Sequence, residues 1–200
     1  MNDEAYLKIS RPFGPSLGIV NIPEELINKI NNFIDEKIED KNKKSTLIDH
    51  GSKLAGQVTQ EIKLPQEIIE GKLLEFLGAV TKTYIRLSCK KEITKFKLID
   101  AWVVRQFQNE YNPIHFHTYC DISAVMWLKV PGMDQRTKNG KLPEYKTQRD
   151  GMIEFVYKTA CPGGLEKGSI SFVPKEGQMA IFPSNLLHCV YPFQGEGERR

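Results

Sequence analysis

The second half of the chain consists of short β-type runs separated by turn residues, and this alternation constrains the fold more than any other feature. Glycines, prolines and Asn-Gly or Asp-Gly pairs stand between the runs and favour tight chain reversals. Several short strands with such turns are typical of an antiparallel sandwich or barrel. The predicted strands are 96–107, 122–130, 152–157, 169–173, 179–182 and 187–191.

The first half of the chain has a helical period instead. Pro23, Glu24 and Glu25 favour a helix start, because proline suits the first turn and acids suit the positive end of the helix dipole. Apolar residues then recur at helical spacing, and a second such stripe follows, which indicates two helices that pack on a core. The predicted elements are strands at 6–9 and 17–22, a helix from 23 that fades at 40–44, an extended segment at 54–62 and a helix at 66–90.

The length of 200 residues suggests one domain with a single core. Residues 1–93 are expected to form a helical N-terminal part that packs on a β-rich core of residues 94–200. The predicted fold class is α+β, mainly β, with helices against one face of a jelly roll. The polar stretch 132–150 is long for a hairpin loop and is predicted to act as a functional lid.

Composition excludes several classes of function. A net charge of +3 is too small to indicate nucleic-acid binding. No apolar run approaches the ~20 residues that span a membrane, and the polar, acidic residues 1–4 do not resemble a signal peptide. The four cysteines form no CxxC pair and are expected to be reduced thiols. These features predict a cytoplasmic protein.

Three of the four histidines form a candidate metal site. His115 and His117 are two residues apart, so on a strand their side chains point to the same side. His188 lies in a later β-type run that could face them, and histidine is the commonest transition-metal ligand. His50 stands alone in a polar turn and is expected to be an ordinary surface residue.

A carboxylate could complete this site in place of one histidine. Asp121 would share the side of His117 if the strand continued, but a turn at Thr118–Tyr119 would break that relation. Two histidines and a carboxylate form the facial ligand set of non-haem Fe(II) oxygenases. Three histidines with an open position could equally hold Zn²⁺ and activate water. The residues by themselves leave both ligand sets open.

Seven segments, taken in order, carry a family likeness: 102–108, 112–117, 121–131, 151–155, 174–177, 182–184 with His188, and 198–200. In order and spacing they resemble the Fe(II)- and 2-oxoglutarate-dependent oxygenases, most of all members found in marine bacteria and phages. The resemblance covers about the last hundred residues. It implies a double-stranded β-helix (a jelly roll with buttressing helices), Fe(II) and 2-oxoglutarate as cofactors, and a hydroxylase-type reaction on a substrate that it does not specify.

The resemblance also implies roles for individual residues. His115 would be the first metal ligand and His188 the distal one, but the carboxylate position of the family holds His117. We therefore expect the ligands His115, His117 and His188, with Asp121 as the alternative. The C5 carboxylate of 2-oxoglutarate would bind an arginine some ten residues after the distal histidine, and the candidate is Arg199, because a planar bidentate donor suits a carboxylate. Its neighbour Arg200 would point oppositely on a strand, so only one of the two should face the pocket, and Arg199 is preferred.

Three further residues are expected near the cofactors. Gln106 and Gln108 lie on a strand that should line the cavity, where a glutamine could hydrogen-bond 2-oxoglutarate. Trp127 is expected either in that lining or in the core. In the family the strand with the arginine continues for several residues, so a chain that stops at Arg200 would be truncated or would lack an edge strand.

Two other functions fit the same residues. The first is a cupin-like metal-dependent enzyme that does not use 2-oxoglutarate. The second is a non-enzymatic jelly-roll module, such as a phage structural or ligand-binding protein.

Overall fold

The computed structural model describes residues 7–10, 14–39, 56–58, 60–131, 149–158 and 168–200. These residues form a mainly β structure with few helices. In chain order, the elements are β1 (Leu7–Ser10), β2 (Leu17–Asn21), α1 (Glu24–Glu39), β3 (Gln60–Lys63), α2 (Gln66–Ile69), α3 (Lys72–Cys89), β4 (Trp102–Arg105), β5 (Asn112–His115), β6 (Ile122–Met126), β7 (Ile153–Val156), β8 (Ser169–Phe172), β9 (Gln178–Pro183) and β10 (Leu187–Val190).

The strands form antiparallel sheets, as the turn signals predicted. The first sheet has the order β1-β2-β9-β6 and the second has the order β5-β10-β7-β8, while β3 pairs with β4. From β6 onward the chain passes from the first sheet to the second, returns to the first in β9 and passes to the second again in β10. This crossing brings residues that are distant in sequence onto neighbouring strands.

Strand β9 separates two hydrophobic clusters, because successive side chains of a strand point to opposite faces. Met179 and Ile181 belong to a cluster with buried residues of α1 and α3. Ala180 and Phe182 belong to a second cluster, with Phe155 of β7. The helices therefore cover one face of the first sheet, and the other face packs toward the second sheet.

The helix predicted at 66–90 is divided into two, so that prediction was wrong at one point. The break lies at Glu70 and Gly71, where Glu70 is extended with ψ 152° and Gly71 has φ 77°. Glycine adopts this left-handed conformation at little cost. The apolar stripe keeps its helical spacing across the break, which hides it in the sequence. None of the described helices has the length and apolar character needed to cross a membrane.

Another prediction differs from the structure in extent, and three cannot be compared with it. The strand predicted at 96–107 is limited to β4, at Trp102–Arg105. The predicted lid at 132–150 falls almost entirely outside the described residues, as do the fading end of the first helix at 40–44 and His50.

The segment Arg199–Arg200 joins the two-stranded unit to the first sheet. On one side, Gln106 and Arg199 exchange two backbone hydrogen bonds of 2.9 Å. On the other side, Arg200 N donates to Lys129 O at 3.0 Å and Leu128 N donates to Arg200 O at 2.8 Å. The segment therefore lies between the residues that follow β4 and those that follow β6.

An ion-pair network, buried at Arg200 and Glu198 and half exposed at Asp35, holds this segment against α1. Glu198 accepts hydrogen bonds from Arg105 Nε at 2.5 Å and from Arg200 Nε at 2.8 Å. Arg200 also donates to Asp35 of α1 at 2.5 Å. Burial by itself would raise the pKa of Glu198, but the hydrogen bonds from Arg200 and Arg105 outweigh it and lower the pKa to about 2.

Replacing Glu198 with glutamine tests this network. At neutral pH we expect the free energy of unfolding to fall by about 3 kcal/mol, because the change breaks a buried ion pair. The folded-state pKa is depressed from 4.5 to about 2, so the wild-type carboxylate stabilises the fold above pH 4.5 and this contribution is lost as the pH falls toward 2. The stability difference between Glu198→Gln and wild type should therefore shrink over that range.

Urea unfolding at a series of pH values measures this difference. Glu92→Gln, at an exposed position, is the matched control and should change stability by less than about 0.5 kcal/mol. A stability difference for Glu198→Gln that stayed constant down to pH 2 would contradict the assigned ion pairs.

Candidate metal centre

The pairing of β5 with β10 places two histidines side by side. The strands are antiparallel, with His188 directly opposite His115, and the two ring centroids are 4.2 Å apart. On its other side β10 pairs with β7, so that His188 lies opposite Phe155. The rings of Phe155 and Phe182 flank His188, with centroids at 5.8 Å and 4.9 Å. This imidazole is therefore buried against aromatic side chains of both sheets.

An irregularity in β5 helps to direct its side chains. Val190 lies opposite Asn112 and His188 lies opposite His115, so three residue steps on β5 match two on β10. Such a β-bulge re-aims side chains and is common next to active sites. Pro113 lies within it, at the edge of the sheet, where a missing N–H is tolerated. The bulge sets both Asn112 and His115 opposite inward-facing residues of β10.

A clamp at Ser184 positions His117, which lies just beyond β5. Ser184 O accepts a hydrogen bond from His117 N at 2.9 Å, and Ser184 N donates to Asp121 O at 3.0 Å. The Ser184 hydroxyl donates to Cys120 O at 2.5 Å. These three bonds fix segment 117–121 on the turn between β9 and β10. Nothing in the sequence pattern indicated this role for Ser184.

The side chains of His115, His117 and His188 converge. The His117 ring centroid is 5.3 Å from that of His115 and 5.1 Å from that of His188. One ring nitrogen from each histidine can be chosen so that the three atoms lie within 4.8 Å of one another. Nitrogen ligands lie about 2.0–2.1 Å from a metal ion, so small side-chain rotations would close these atoms around one ion.

Backbone carbonyls set the tautomer of two of these histidines. His115 Nδ1 donates to Pro113 O at 2.7 Å and His188 Nδ1 donates to Leu186 O at 2.9 Å. A carbonyl oxygen can only accept, so Nδ1 carries a proton and Nε2 is the nitrogen that offers a lone pair in the neutral ring. Metal-binding histidines generally use their second nitrogen in this way. The donor set therefore fits a transition metal.

Burial keeps two of the imidazoles neutral. Desolvation, and to a lesser degree the neighbouring His115, lowers the pKa of His117 to about 4. Desolvation is also the main cause that lowers the pKa of His188 to about 3, against a smaller opposing effect of its hydrogen bond to Leu186. A histidine must be deprotonated to bind a metal, so both are ready to do so at neutral pH.

Asp121 lies outside this cluster. Tyr119 has φ 63° and reverses the chain, so the strand does not continue to Asp121, which is exposed. Among the residues that the structure describes, the group of converging ligand atoms contains the three histidines and no carboxylate. The turn at Thr118–Tyr119 that the sequence left open is thus present.

The two arginines point to different parts of the molecule. Arg199 is 5% exposed and its Nη1 donates to Gly151 O at 2.6 Å, next to β7. Its guanidinium carbon lies 5.3 Å from the centroid of the buried Phe193 ring. Arg200 instead contacts Glu198 and Asp35 on the helix side. Arg199 is therefore the one directed toward the ends of β7 and β10.

The remaining predicted residues have separate environments. Gln106 is 3% exposed and its Oε1 accepts hydrogen bonds from Arg199. Gln108 is exposed and donates to Gln194. Trp127 belongs to the cluster between the sheets and meets Phe172 edge-on at 5.9 Å. Trp102, to which the sequence analysis gave no role, has its ring centroid 5.9 Å from that of His117.

Comparison of the whole structure supports the mainly β architecture. The chain is similar to the crystal structure of a Pseudomonas putida prolyl-4-hydroxylase, with a TM-score of 0.54 and 13% sequence identity. The match covers 99% of this chain and 91% of that one. At this identity the likeness concerns the fold. No curated protein matches the sequence.

The sequence itself matches a family model over residues 100–200, which is the half of the chain that contains the histidine cluster and Arg199. The family is described as "Putative 2OG-Fe(II) oxygenase". Its members are enzymes whose cofactors are Fe(II) and 2-oxoglutarate, and three converging histidines supply ligands of the type that such a metal requires. The chain belongs to this family of 2-oxoglutarate- and Fe(II)-dependent oxygenases.

Proposed function

We propose that the protein is a hydroxylase-type dioxygenase in which His115, His117 and His188 hold Fe(II). The observation that carries the proposal is the convergence of the three histidines within 4.8 Å. In the described part of the chain no other group of three potential ligands meets in this way. Two of the histidines lie opposite each other on paired strands, so the sheet itself holds the ligands in place.

The proposed ligand set contains one negative charge fewer than two histidines and a carboxylate. Three neutral imidazoles leave the full charge of a divalent ion for whatever binds next to it. An anionic cosubstrate such as 2-oxoglutarate would be attracted more strongly to this ion than to one already bound to a carboxylate. Having the neutral His117 where the general pattern has a carboxylate thus favours binding of an anionic cosubstrate.

Arg199 is our candidate for the residue that binds the far carboxylate of 2-oxoglutarate. Nη2 of Arg199 lies 3.4 Å from Tyr191 O, and Tyr191 comes three residues after His188. Three residues of strand extend about 10 Å, so His188 and the neighbourhood of Arg199 are separated by about this distance along β10. A linear five-carbon diacid bound to a metal ion at one end and to a guanidinium at the other spans a similar length. A planar guanidinium binds a carboxylate bidentately.

The other residues of the site would orient the ligands and exclude water. Fe(II), when bound, supplies the oxidative decarboxylation of 2-oxoglutarate that is coupled to oxidation of the substrate. The carbonyls of Pro113 and Leu186 hold the imidazoles of His115 and His188 in the metal-binding tautomer. Phe155 and Phe182, with 0% and 1% exposure, keep water away from His188.

The crossing of the chain between two antiparallel sheets supports a double-stranded β-helix. Helices α1 and α3 pack on the first sheet through residues shared with β9, which is the buttressing arrangement expected from the sequence. The same shared cluster supports one domain over residues 1–200. Cys89, Cys120 and Cys189 are free, which agrees with the proposed reducing, cytoplasmic location.

A metal-dependent enzyme that does not use 2-oxoglutarate is the second candidate. Three histidines without a carboxylate in the described cluster favour it, because such a set also suits Zn²⁺ and the activation of water. Anaerobically purified protein, supplied with Fe(II), 2-oxoglutarate and O₂, distinguishes the two candidates. Release of succinate supports the first, whereas tight Fe(II) binding without any affinity for 2-oxoglutarate supports the second.

Substitution of the histidines tests the ligand set. Removing a residue that only hydrogen-bonds a metal ligand typically weakens metal binding 10–100-fold. Removing the ligand itself should have a larger effect, so we expect His117→Ala and His188→Ala each to weaken Co(II) binding by at least about 100-fold. Asp121→Asn should change it by less than about 3-fold, because the carboxylate lies outside the cluster. Equilibrium titration with Co(II), followed by its absorption, measures the affinity.

His50→Ala is the matched control, since it removes the one histidine that is not assigned to the site. It should bind Co(II) as the wild type does. A large loss of affinity in Asp121→Asn with none in His117→Ala would replace the three-histidine set by the alternative with a carboxylate.

The two arginines are distinguished by a second pair of variants. Arg199→Met should raise the Kd for 2-oxoglutarate about 100-fold or more, because it removes a charge-assisted bidentate partner. Arg200→Met should leave that Kd within about 3-fold but lower Tm by several degrees, because it breaks a buried ion pair. Anaerobic calorimetric titration and thermal unfolding give the two quantities. The opposite pattern would assign the cosubstrate to Arg200.

A further inference from the structure

Gln106 and Arg199 are joined through both backbone and side chain. Their backbones exchange two hydrogen bonds of 2.9 Å in an antiparallel bridge. Residues directly opposite each other in such a bridge present their side chains on the same face. Both side chains are buried, at 3% and 5% exposure. The pair is therefore fixed in a dry environment, where a hydrogen bond is strongly directional.

The side-chain contacts are specific in their donors and acceptors. Gln106 Oε1 accepts from Arg199 Nε at 3.1 Å and from Nη2 at 2.5 Å. The amide nitrogen of Gln106 donates to Glu110 O. Because a carbonyl can only accept, this last bond fixes which end of the amide faces the arginine. Gln106 thus presents its oxygen to one lateral edge of the guanidinium.

This contact determines which edge of the guanidinium faces the ends of β7 and β10. Gln106 binds the edge formed by Nε and Nη2. The terminal edge, formed by Nη1 and Nη2, is turned toward Gly151 O at 2.6 Å and Tyr191 O at 3.4 Å. The Phe193 ring, 5.3 Å from the guanidinium carbon, limits rotation out of this plane.

We propose that Gln106 is a positioning residue for Arg199: it holds the guanidinium at the ends of β7 and β10, where Arg199 would bind the far carboxylate of 2-oxoglutarate, and it adds no negative charge of its own. This inference rests on the proposed function, in which Arg199 binds that carboxylate. Gln106 acts through the arginine, since its oxygen contacts Arg199 and its nitrogen contacts Glu110. A neutral amide is the group required here, because it accepts two hydrogen bonds without adding a negative charge.

A glutamate at this position would keep the shape and the acceptor but add a charge. The carboxylate of Gln106→Glu would form an ion pair with Arg199 and compete with the incoming dicarboxylate. Gln106→Met keeps the approximate volume and removes the acceptor. Gln108→Glu introduces the same charge two residues away, at an exposed position that contacts Gln194. The three variants separate the effects of charge, of the hydrogen bond and of general electrostatics.

The test is anaerobic calorimetric titration of 2-oxoglutarate into the Co(II)-loaded full-length protein. Supporting residues of a binding site typically contribute 10–100-fold, so we expect a Kd about 100-fold higher for Gln106→Glu and about 10-fold higher for Gln106→Met. Gln108→Glu should stay within about 3-fold of the wild type. In Fe(II)-dependent succinate formation, Gln106→Glu should raise the KM for 2-oxoglutarate about as much as Kd, while kcat at saturation stays within about 3-fold.

Co(II) affinity and Tm are measured on every variant. Unchanged values with weakened 2-oxoglutarate binding support a positioning role, whereas a purely structural role would lower Tm and leave Kd unaffected in the folded protein. If Gln106→Glu does not fold, the Kd for 2-oxoglutarate, the Co(II) affinity and Tm of Gln106→Met are compared with those of the wild type instead.

Different results would exclude the positioning role of Gln106 and the cosubstrate site at Arg199. If wild type binds 2-oxoglutarate and Arg199→Met does not, but both Gln106 variants bind normally, the positioning role is wrong and the assignment of Arg199 stands. If wild type does not bind 2-oxoglutarate, or Arg199→Met binds it as tightly, then the cosubstrate site itself is misassigned and the role of Gln106 is excluded with it.

Discussion

The antiparallel pairing of β5 with β10 is the interaction on which the rest of the site depends. It sets His115 opposite His188 and brings together two parts of the chain separated by more than seventy residues. Only side-chain rotations separate these two imidazoles from a common ion, so most of the conformational entropy of bringing them together is already lost when the sheet folds. On its other side β10 pairs with β7, and that second pairing sets Phe155 beside His188.

The short segment Glu198–Arg200 connects the site to the helical half of the molecule. Successive side chains of an extended segment point to opposite faces, so Arg199 and Arg200 contact different parts of the molecule. Arg200 is tied to Asp35 of α1 by an ion pair, and Arg199 is directed at the ends of β7 and β10. The position of the guanidinium that we assign to 2-oxoglutarate is therefore linked to the packing of α1 on the first sheet.

Local sequence patterns predicted many of the helices and strands. Most features that they did not predict depend on contacts between residues that are distant in the sequence. Gly and Pro turns located the strands of the second half, and apolar periodicity located α1 and α3, because both signals act within a few residues. The break at Gly71 was not predicted because the apolar residues keep their helical spacing across it. The bulge at Pro113 exists only relative to β10, and the Ser184 clamp joins residues more than sixty positions apart. The sequence placed Gln106 near the cosubstrate, but its contact with Arg199 depends on a bridge between distant segments.

The Ser184 clamp holds the third proposed ligand in a different way from the other two. His115 and His188 lie on paired strands, while His117 is held through its backbone N–H on a neighbouring turn. A backbone contact does not depend on the identity of the side chain, so this position could carry another ligand without any change in the sheet. Because the bond from His117 N to Ser184 O belongs to the backbone, the segment is held in place independently of which side chain residue 117 presents to the proposed metal site.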